Sequence, residues 1–193
     1  MILIRKRSRG PARCFGDVEA YMLLSFLNEE GKTSRRRAAE YIDIGEGSVR
    51  KIADIMMRAG LVEIFQTGMF ISDYGKELIT LLPLRMINME PVDCVVGSSQ
   101  QAVLVKDVSE KITNGMAQRD AGIRAGSSGC TTFIFRNGKI IMPPGWDVEK
   151  ASPALSEIIA KTGITENDAL IIGGDAHPPL ARKAALTAAM ELI

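Results

Sequence analysis

The cationic side chains of this 193-residue chain are clustered rather than evenly spread. A cluster of guanidinium and ammonium groups makes a local positive patch that can bind a phosphate backbone, even when the whole chain is nearly neutral. The chain carries 24 Lys and Arg against 23 Asp and Glu, a formal net charge of +1. Phosphate binding is therefore the first chemistry that the sequence suggests, and solvated helix faces are the alternative. The clusters are Arg5, Lys6, Arg7, Arg9 and Arg13; Arg35, Arg36 and Arg37; and Arg50, Lys51 and Arg58.

Four polar residues of the second half could bind a small ligand. Arg119 and Asp120 are adjacent on a predicted helix, and a buried charge of this kind needs a partner. Asp175 and His177 lie in a predicted loop, residues 173–179, that leaves a strand and enters a helix, where backbone amides can hold a carboxylate or phosphate. The alternatives are surface ion pairing for the first two residues and a capping or loop role for the other two.

Composition argues against an enzyme and against a metal centre. The four polar residues are scattered, and no nucleophile, base or metal cluster accompanies them, so we predict no catalytic residue and no cofactor. His177 is the one histidine, and Cys14, Cys94 and Cys130 are too far apart for a disulfide framework or a zinc site. We expect Cys94 and Cys130 to be small buried hydrophobic residues.

The apolar residues are distributed as in a cytoplasmic protein. No run of 18 apolar residues occurs, which argues against a membrane span. The opening residues 1–13 alternate charged and apolar types and lack the apolar block of a signal peptide. We therefore expect a cytoplasmic protein that does not insert into a membrane.

Three helices and a hairpin are predicted in the first half. Helical spacing extends from Asp17, a predicted N-cap, to Gly31, and Ser34 can cap a short second helix. A turn at residues 43–45 precedes a third helix that ends at Gly60. Alternating residues 61–65 and 69–71 then predict two strands joined by a turn, and a last helix spans 75–82. The third helix has an apolar face of Val49, Ile52, Ala53, Met56 and Ala59 and a polar face of Arg50, Lys51, Asp54 and Arg58.

This order of elements resembles the winged helix-turn-helix domain of bacterial and archaeal transcription regulators. The likeness covers about 70 residues and is carried by residues 34–62 and by 71–78 after the hairpin. It implies that the third helix enters the major groove of duplex DNA, with Ser48, Arg50, Lys51, Asp54 and Arg58 exposed. It also implies that Arg35, Arg36 and Arg37 bind phosphates at the start of the second helix.

Two features leave an alternative open. The wing tip, residues 66–68, carries no Lys or Arg, and the polar face of the third helix includes the anions Glu46 and Asp54. Asp54 lies four residues from both Arg50 and Arg58, a spacing at which side chains can pair. Winged helices also serve as protein-interaction modules, so a winged helix that does not touch DNA is the competing hypothesis.

The second half predicts an α+β domain. Residues 83–91 resemble a linker, 92–96 and 102–105 are predicted strands, and 115–125 a helix that packs through its alanines at 117, 121 and 125. Asn137-Gly138 predicts a hairpin between strands 131–135 and 139–142. Ser152-Pro153 begins a helix that ends at Gly163, residues 169–172 form a buried strand, and 179–192 an alanine-rich helix.

Together these patterns predict two domains, a winged helix at 1–87 and a smaller-sheet, sandwich-type α/β domain at 88–193. The segment from Gln118 to Thr132 and the hairpin resemble an uncharacterised archaeal family in which this domain follows a winged helix. The prediction is a sequence-specific transcription regulator, a homodimer that binds double-stranded DNA and senses a small-molecule effector or dimerises through its second domain. A small-molecule enzyme is the remaining alternative.

Overall fold

Helices dominate the first part of the chain and a six-stranded sheet dominates the second, so the fold is α+β, as predicted. The computed structural model describes residues 15–193. The chain divides into two units between Leu82 and Pro83. This division precedes the predicted boundary at residue 87, because Leu84–Ile87 form a strand of the second unit's sheet. Cys14 and the cationic cluster of residues 5–13 lie outside the described residues.

Four helices and a hairpin make up the first unit. Ser34 Oγ accepts a hydrogen bond from Arg37 N (3.2 Å) and caps the second helix, as predicted. Gly16, rather than Asp17, caps the first helix, and Gly16 N donates to Glu19 Oε2 (2.7 Å). The elements are α1 (Asp17–Glu30), α2 (Arg35–Ile42), α3 (Glu46–Arg58), β1 (Val62–Phe65), β2 (Gly68–Ile71) and α4 (Asp73–Leu81).

Helix α3 is held by its apolar face. Val49, Ile52, Ala53 and Met56 are buried, which is the face that the helical spacing predicts. Ala59 is exposed, contrary to the prediction, because α3 ends at Arg58 and Ala59 already belongs to its C-terminal cap. The burial of this face fixes which side chains of α3 point into solvent.

The β1–β2 hairpin is tied to the start of α2. The two strands are antiparallel, and Val62 pairs with Ile71. The free edge of β2 forms a bridge to Thr33, in which Thr33 N donates to Met69 O (3.1 Å) and Met69 N to Thr33 O (2.8 Å). Gly68 has φ +146°, and a Cβ there would lie 2.9 Å from Thr33 O, so only glycine fits this approach. The hairpin is thus fixed near its turn to the segment that leads into α2.

The second unit is built on one antiparallel sheet of six strands. Its order is β3-β4-β8-β5-β6-β7, so the last strand in sequence lies at the centre. The elements are β3 (Leu84–Ile87), β4 (Ser99–Val105), a 3-10 helix (Ser109–Lys111), α5 (Met116–Arg124), β5 (Gly129–Arg136), β6 (Lys139–Met142), β7 (Trp146–Asp147), α6 (Val148–Ala151), α7 (Pro153–Ala160), β8 (Ala169–Asp175) and α8 (Pro178–Met190).

Helices cover both faces of this sheet. Leu104, Phe133 and Leu170 point to one face, where they pack with Leu155 and Ile159 of α7. Because side chains alternate along a strand, residue 173 faces the opposite side. There α8 packs so closely on Gly173 that a Cβ would lie 2.2 Å from the carbonyl oxygen of Ala181. The core is therefore divided into two layers by the sheet.

Three predicted segments of the second unit differ in the structure. Residues 92–96 are not a strand, because Gln100 of β4 holds this segment as a loop, accepting from Val92 N (2.9 Å) and donating to Val95 O (3.2 Å). The predicted linker 83–91 contains β3, since it pairs with β4. The predicted loop 173–179 begins as strand, and β8 continues to Asp175 because β4 and β5 pair with it from both sides.

Candidate nucleic-acid interface

Three cations project from the exposed face of α3. Arg50, Lys51 and Arg58 are exposed, and among residues 15–193 no ion pair or hydrogen bond engages their charged groups. At 100° per residue they span an arc of about 100° opposite the buried face. Gly47 lies near the middle of this arc, and a Cβ there would meet open space. Asp54 falls within the same arc, so this convex surface carries three cations and one half-buried carboxylate, with room for close approach of a ligand.

Ser48 and Asp54 contribute less to this surface. Both are half-buried, whereas the resemblance implied that both are exposed. Asp54 forms no ion pair with Arg50 or Arg58, so the pairing considered from the spacing is absent. An exposed pair of this kind is worth only a few tenths of a kcal/mol, roughly 0.3–0.5, which does not hold the cations against solvation. The three cations therefore stay available to an external anion.

The three arginines at the start of α2 are not equivalent. All are exposed, but Arg36 Nε pairs with Glu40 Oε1 (3.1 Å) and Arg37 Nη2 with Glu30 Oε2 (2.6 Å). Arg35 has no such partner among the residues that the structure describes. Arg35 is consequently the member of this predicted phosphate clamp whose charge is least compensated.

A shallow groove of about 760 Å³ lies against the β1–β2 hairpin. The rings of Phe65 and Phe70 meet edge to face with centroids 5.7 Å apart, and Phe65 is 57% exposed. Glu63 and Asp73 also line the groove, and Asp73 pairs with Lys76 (3.0 Å). This groove combines aromatic and acidic groups, so it is unsuited to phosphate.

The carboxylate of Asp175 accepts hydrogen bonds from Ser128 and His177. Its Oδ2 accepts from Ser128 N (2.9 Å) and Ser128 Oγ (3.1 Å), and its Oδ1 accepts from His177 N (2.9 Å). The hydrogen bond from His177 N lowers the pKa of the Asp175 carboxyl, burial opposes this effect, and the bonds from Ser128 lower the pKa further. Asp175 therefore fastens the turn before β5 to the end of β8.

The family described as Domain of unknown function (DUF4443) matches residues 96–192, half of the chain. The chain belongs to this family. A solved structure described as a hypothetical protein, PH0730 from Pyrococcus horikoshii OT3, is similar with a TM-score of 0.72 and 21% identity. The alignment covers 92% of each chain, and at this identity it shows a shared fold alone. No curated protein matches the chain.

The DUF4443 segment contains all four predicted ligand-binding residues, and the structure does not join them into one site. Arg119 and Asp120 are exposed on α5, and the side chain of neither forms a hydrogen bond or ion pair within residues 15–193. His177 is exposed, and it contacts Asp175 through its backbone N–H. Ser128, which sequence reasoning missed, is the side chain that actually engages Asp175. The only sequence signal for a role of Ser128 is the Ser127-Ser128-Gly129 segment at the start of β5.

The two described cysteines also differ from expectation. Cys94 is exposed rather than buried, because residues 92–96 form a loop instead of a strand. Cys130 is half-buried in β5, and a Cβ on Gly122 of α5 would lie 2.5 Å from its sulfur. Burial raises the pKa of the Cys130 thiol to about 12. Neither thiol is therefore poised as a thiolate nucleophile.

Residues 15–193 form neither a candidate metal centre nor a membrane-spanning helix. No group of three or more His, Cys, Asp and Glu side chains in this range is arranged to hold a metal ion. Within the same range no helix has the length and apolar character needed to cross a membrane.

Proposed function

We propose that the first unit is a winged helix-turn-helix domain that binds double-stranded DNA through α3. The protein would act as a homodimeric, cytoplasmic transcription regulator whose second unit senses an effector or dimerises. The order of three helices and a hairpin supports the winged helix, as does the bridge between Thr33 and Met69 that anchors the hairpin beside α2. A helix of this diameter fits the major groove of B-DNA.

One observation carries the proposal. Arg50, Lys51 and Arg58 all lie on the exposed arc of α3, and their charged groups form no ion pair or hydrogen bond with another described residue. Guanidinium and ammonium groups in the major groove donate to guanine O6 and N7 or to phosphates, and a good base contact discriminates by about 1–3 kcal/mol. The absence of Gly47's side chain lets the backbone of α3 approach the groove floor.

The test is selection of genomic DNA fragments by the full chain at physiological salt, followed by binding assays on the selected site. Arg50→Ala together with Lys51→Ala should weaken binding to the selected site by at least about tenfold while weakening random DNA much less. The matched control is Lys150→Ala with Lys161→Ala, which removes two exposed cations from the second unit. Equal losses for both double variants, or no selected sequence, would contradict the proposal.

The groove on the hairpin favours a second candidate, a winged helix that binds protein instead of DNA. Phe65 is exposed beside Glu63, and the tip residues 66–68 carry no cation. Exposed aromatic residues are enriched in protein interfaces. Titrating the labelled chain with duplex DNA separates the candidates, because DNA binding moves the amide resonances of α3, and a protein-only module leaves them in place.

A further inference from the structure

The distribution of polar and apolar residues on α5 is the reverse of that on an ordinary surface helix. Its buried residues are Gln118, Ala121 and Gly122, which include a polar side chain and two very small residues. Its apolar residues Met116 and Ile123 are 53% and 45% exposed. A surface helix usually turns its large apolar residues to the core and its polar residues to solvent. The pattern of α5 leaves two large apolar side chains together on its outer face.

The exposed apolar residues lie at the crest of α5. At 100° per residue Met116 and Ile123 differ by about 20°, and both point roughly opposite to the centre of the buried face. The sequence predicted packing through the alanines at 117, 121 and 125, yet Ala117 is exposed and Ala121 is buried. The helix has therefore turned so that Met116 and Ile123 face outward together.

Opposite charges flank this crest. On the helical wheel Arg119 and Asp120 fall about 50° to either side of it. Neither side chain has an ion pair or hydrogen bond within residues 15–193, whereas the Arg124 side chain on the same helix donates to Glu191 (2.9 Å and 3.2 Å). A cationic flank, an apolar crest and an anionic flank make a surface that complements a second copy of itself.

We propose that the outer face of α5, formed by the crest of Met116 and Ile123 and its flanks Arg119 and Asp120, is the surface through which two copies of this chain associate. The inference deepens the homodimer of the proposed function by naming its surface. The two α5 helices run parallel about a two-fold axis, so that Met116 and Ile123 each meet their own counterpart.

Charge fixes the parallel direction. In a parallel pair the Arg119 flank faces Asp120 of the partner subunit, as charged residues do beside the seam of a parallel coiled coil. In an antiparallel pair the same flanks meet, and Arg119 lies beside its own counterpart. Like charges at that distance oppose association, so the antiparallel arrangement is disfavoured.

Sedimentation equilibrium of the full chain without DNA tests the surface. Ile123→Lys places a cation in the last turn of α5, where the helix tolerates it, and should raise the dimer dissociation constant at least about tenfold, or 1.4 kcal/mol. The matched apolar control is Trp146→Ser, because Trp146 is also 41% exposed but lies on β7. A wild-type chain that stays monomeric, or equal effects of the two substitutions, would overturn the proposal.

A charge exchange tests the pairing. Arg119→Asp alone and Asp120→Arg alone each put like charges across the two-fold axis and should weaken the dimer, whereas the double exchange should restore it. Far-UV circular dichroism checks whether each variant keeps the fold, which we expect because both positions are exposed. Failure of the double exchange to restore association would refute the charge pairing.

A separate measurement tests whether the two α5 helices run parallel. In a chain with Cys14→Ser and Cys94→Ser, Met116→Cys should form a disulfide between subunits under mild oxidation, because parallel helices bring these positions together. Absence of this cross-link in a dimeric sample would refute the parallel arrangement. All these measurements omit DNA. DNA binding by a monomer would overturn this inference and the homodimer of the proposed function, but not DNA binding through α3. A dimer that does not bind DNA would overturn DNA binding through α3 and leave this inference standing.

Discussion

The buried carboxylate of Asp168 organises the turn before β8. Its Oδ2 accepts from Lys106 Nζ (2.7 Å), Thr165 N (2.9 Å) and Thr165 Oγ1 (2.7 Å). Burial raises the pKa of this carboxyl, but the hydrogen bonds from Lys106 and Thr165 together outweigh burial and lower it. Asp168 is 1% exposed, so water cannot replace these donors.

Asp168→Asn should therefore destabilise the second unit at neutral pH. Loss of the charge-assisted bonds is expected to cost about 1–3 kcal/mol of the free energy of unfolding. Because the folded pKa lies below the unfolded value of about 3.9, the native carboxylate stabilises the fold above that pH and loses this effect as the pH falls through the folded pKa. Urea unfolding at pH 7 and pH 3 checks both statements.

The control for this substitution is Asp93→Asn, at an exposed aspartate with no hydrogen bond or ion pair among the described residues. It should leave the free energy of unfolding within about 0.5 kcal/mol of the native value. A D168N variant that matches this control at pH 7 would contradict the role given to Asp168.

The two described thiols should react at different rates. Burial raises the pKa of both, and that of Cys130 reaches about 12, so at pH 8 its thiolate is the scarcer species. Cys94 is also exposed, whereas Cys130 lies half-buried in β5. In a Cys14→Ser chain, iodoacetamide should modify Cys94 well before Cys130, as peptide mass spectrometry would show. Equal rates would mean that β5 opens readily.

At the scale of elements, close contact of α8 with β8 depends on one glycine. A Cβ at Gly173 would lie 2.2 Å from Ala181 O and 2.7 Å from Ala185 N, which are backbone atoms of a packed helix. Backbone cannot yield as a flexible side chain does. The identity of residue 173 is therefore fixed by the distance between helix and sheet.

Gly173→Ala should lower the free energy of unfolding by about 2–3 kcal/mol, because α8 must shift outward to admit the methyl group. Chemical denaturation measures this loss. Gly145→Ala is the comparison variant, since a Cβ at Gly145 would meet open space and its φ is not positive. If both variants are equally stable, the second unit tolerates movement of α8 that the packing argues against.

At the scale of the molecule, the sign of the charge depends on the first 14 residues. Five of the 24 Lys and Arg and none of the 23 Asp and Glu lie there. The remaining 179 residues hold 19 Lys and Arg against 23 Asp and Glu, a net charge of −4. A polyanion such as DNA would be repelled at long range by that remainder.

Removal of residues 2–13 should thus weaken binding to every DNA sequence alike. If all five cations neutralise phosphates, the slope of log affinity against log salt should fall by about 4–5. Exchange of the four arginines of this segment for lysine keeps the charge and should keep the slope. A truncated chain with an unchanged slope would show that α2 and α3 alone supply the phosphate contacts.

Local sequence patterns predicted much of the architecture. The N-cap at Ser34, the apolar face of α3 from Val49 to Met56, the Asn137-Gly138 hairpin and the Ser152-Pro153 helix start all form as expected. Each of these features is decided by residues within about one or two helical turns or one hairpin, so nearby sequence contains the necessary information. The α+β class follows from the same patterns.

Tertiary structure decided what depends on distant residues. Leu84–Ile87 form a strand because β4 pairs with them. Gly173 and Gly174 belong to β8 because β4 and β5 pair with them from both sides. Residues 92–96 form a loop because Gln100 forms hydrogen bonds with their backbone. Likewise only packing on β5 and α8 could turn Met116 and Ile123 outward on α5. Pairing and packing across the chain override local preference, since one strand can satisfy its backbone only where another strand offers an edge.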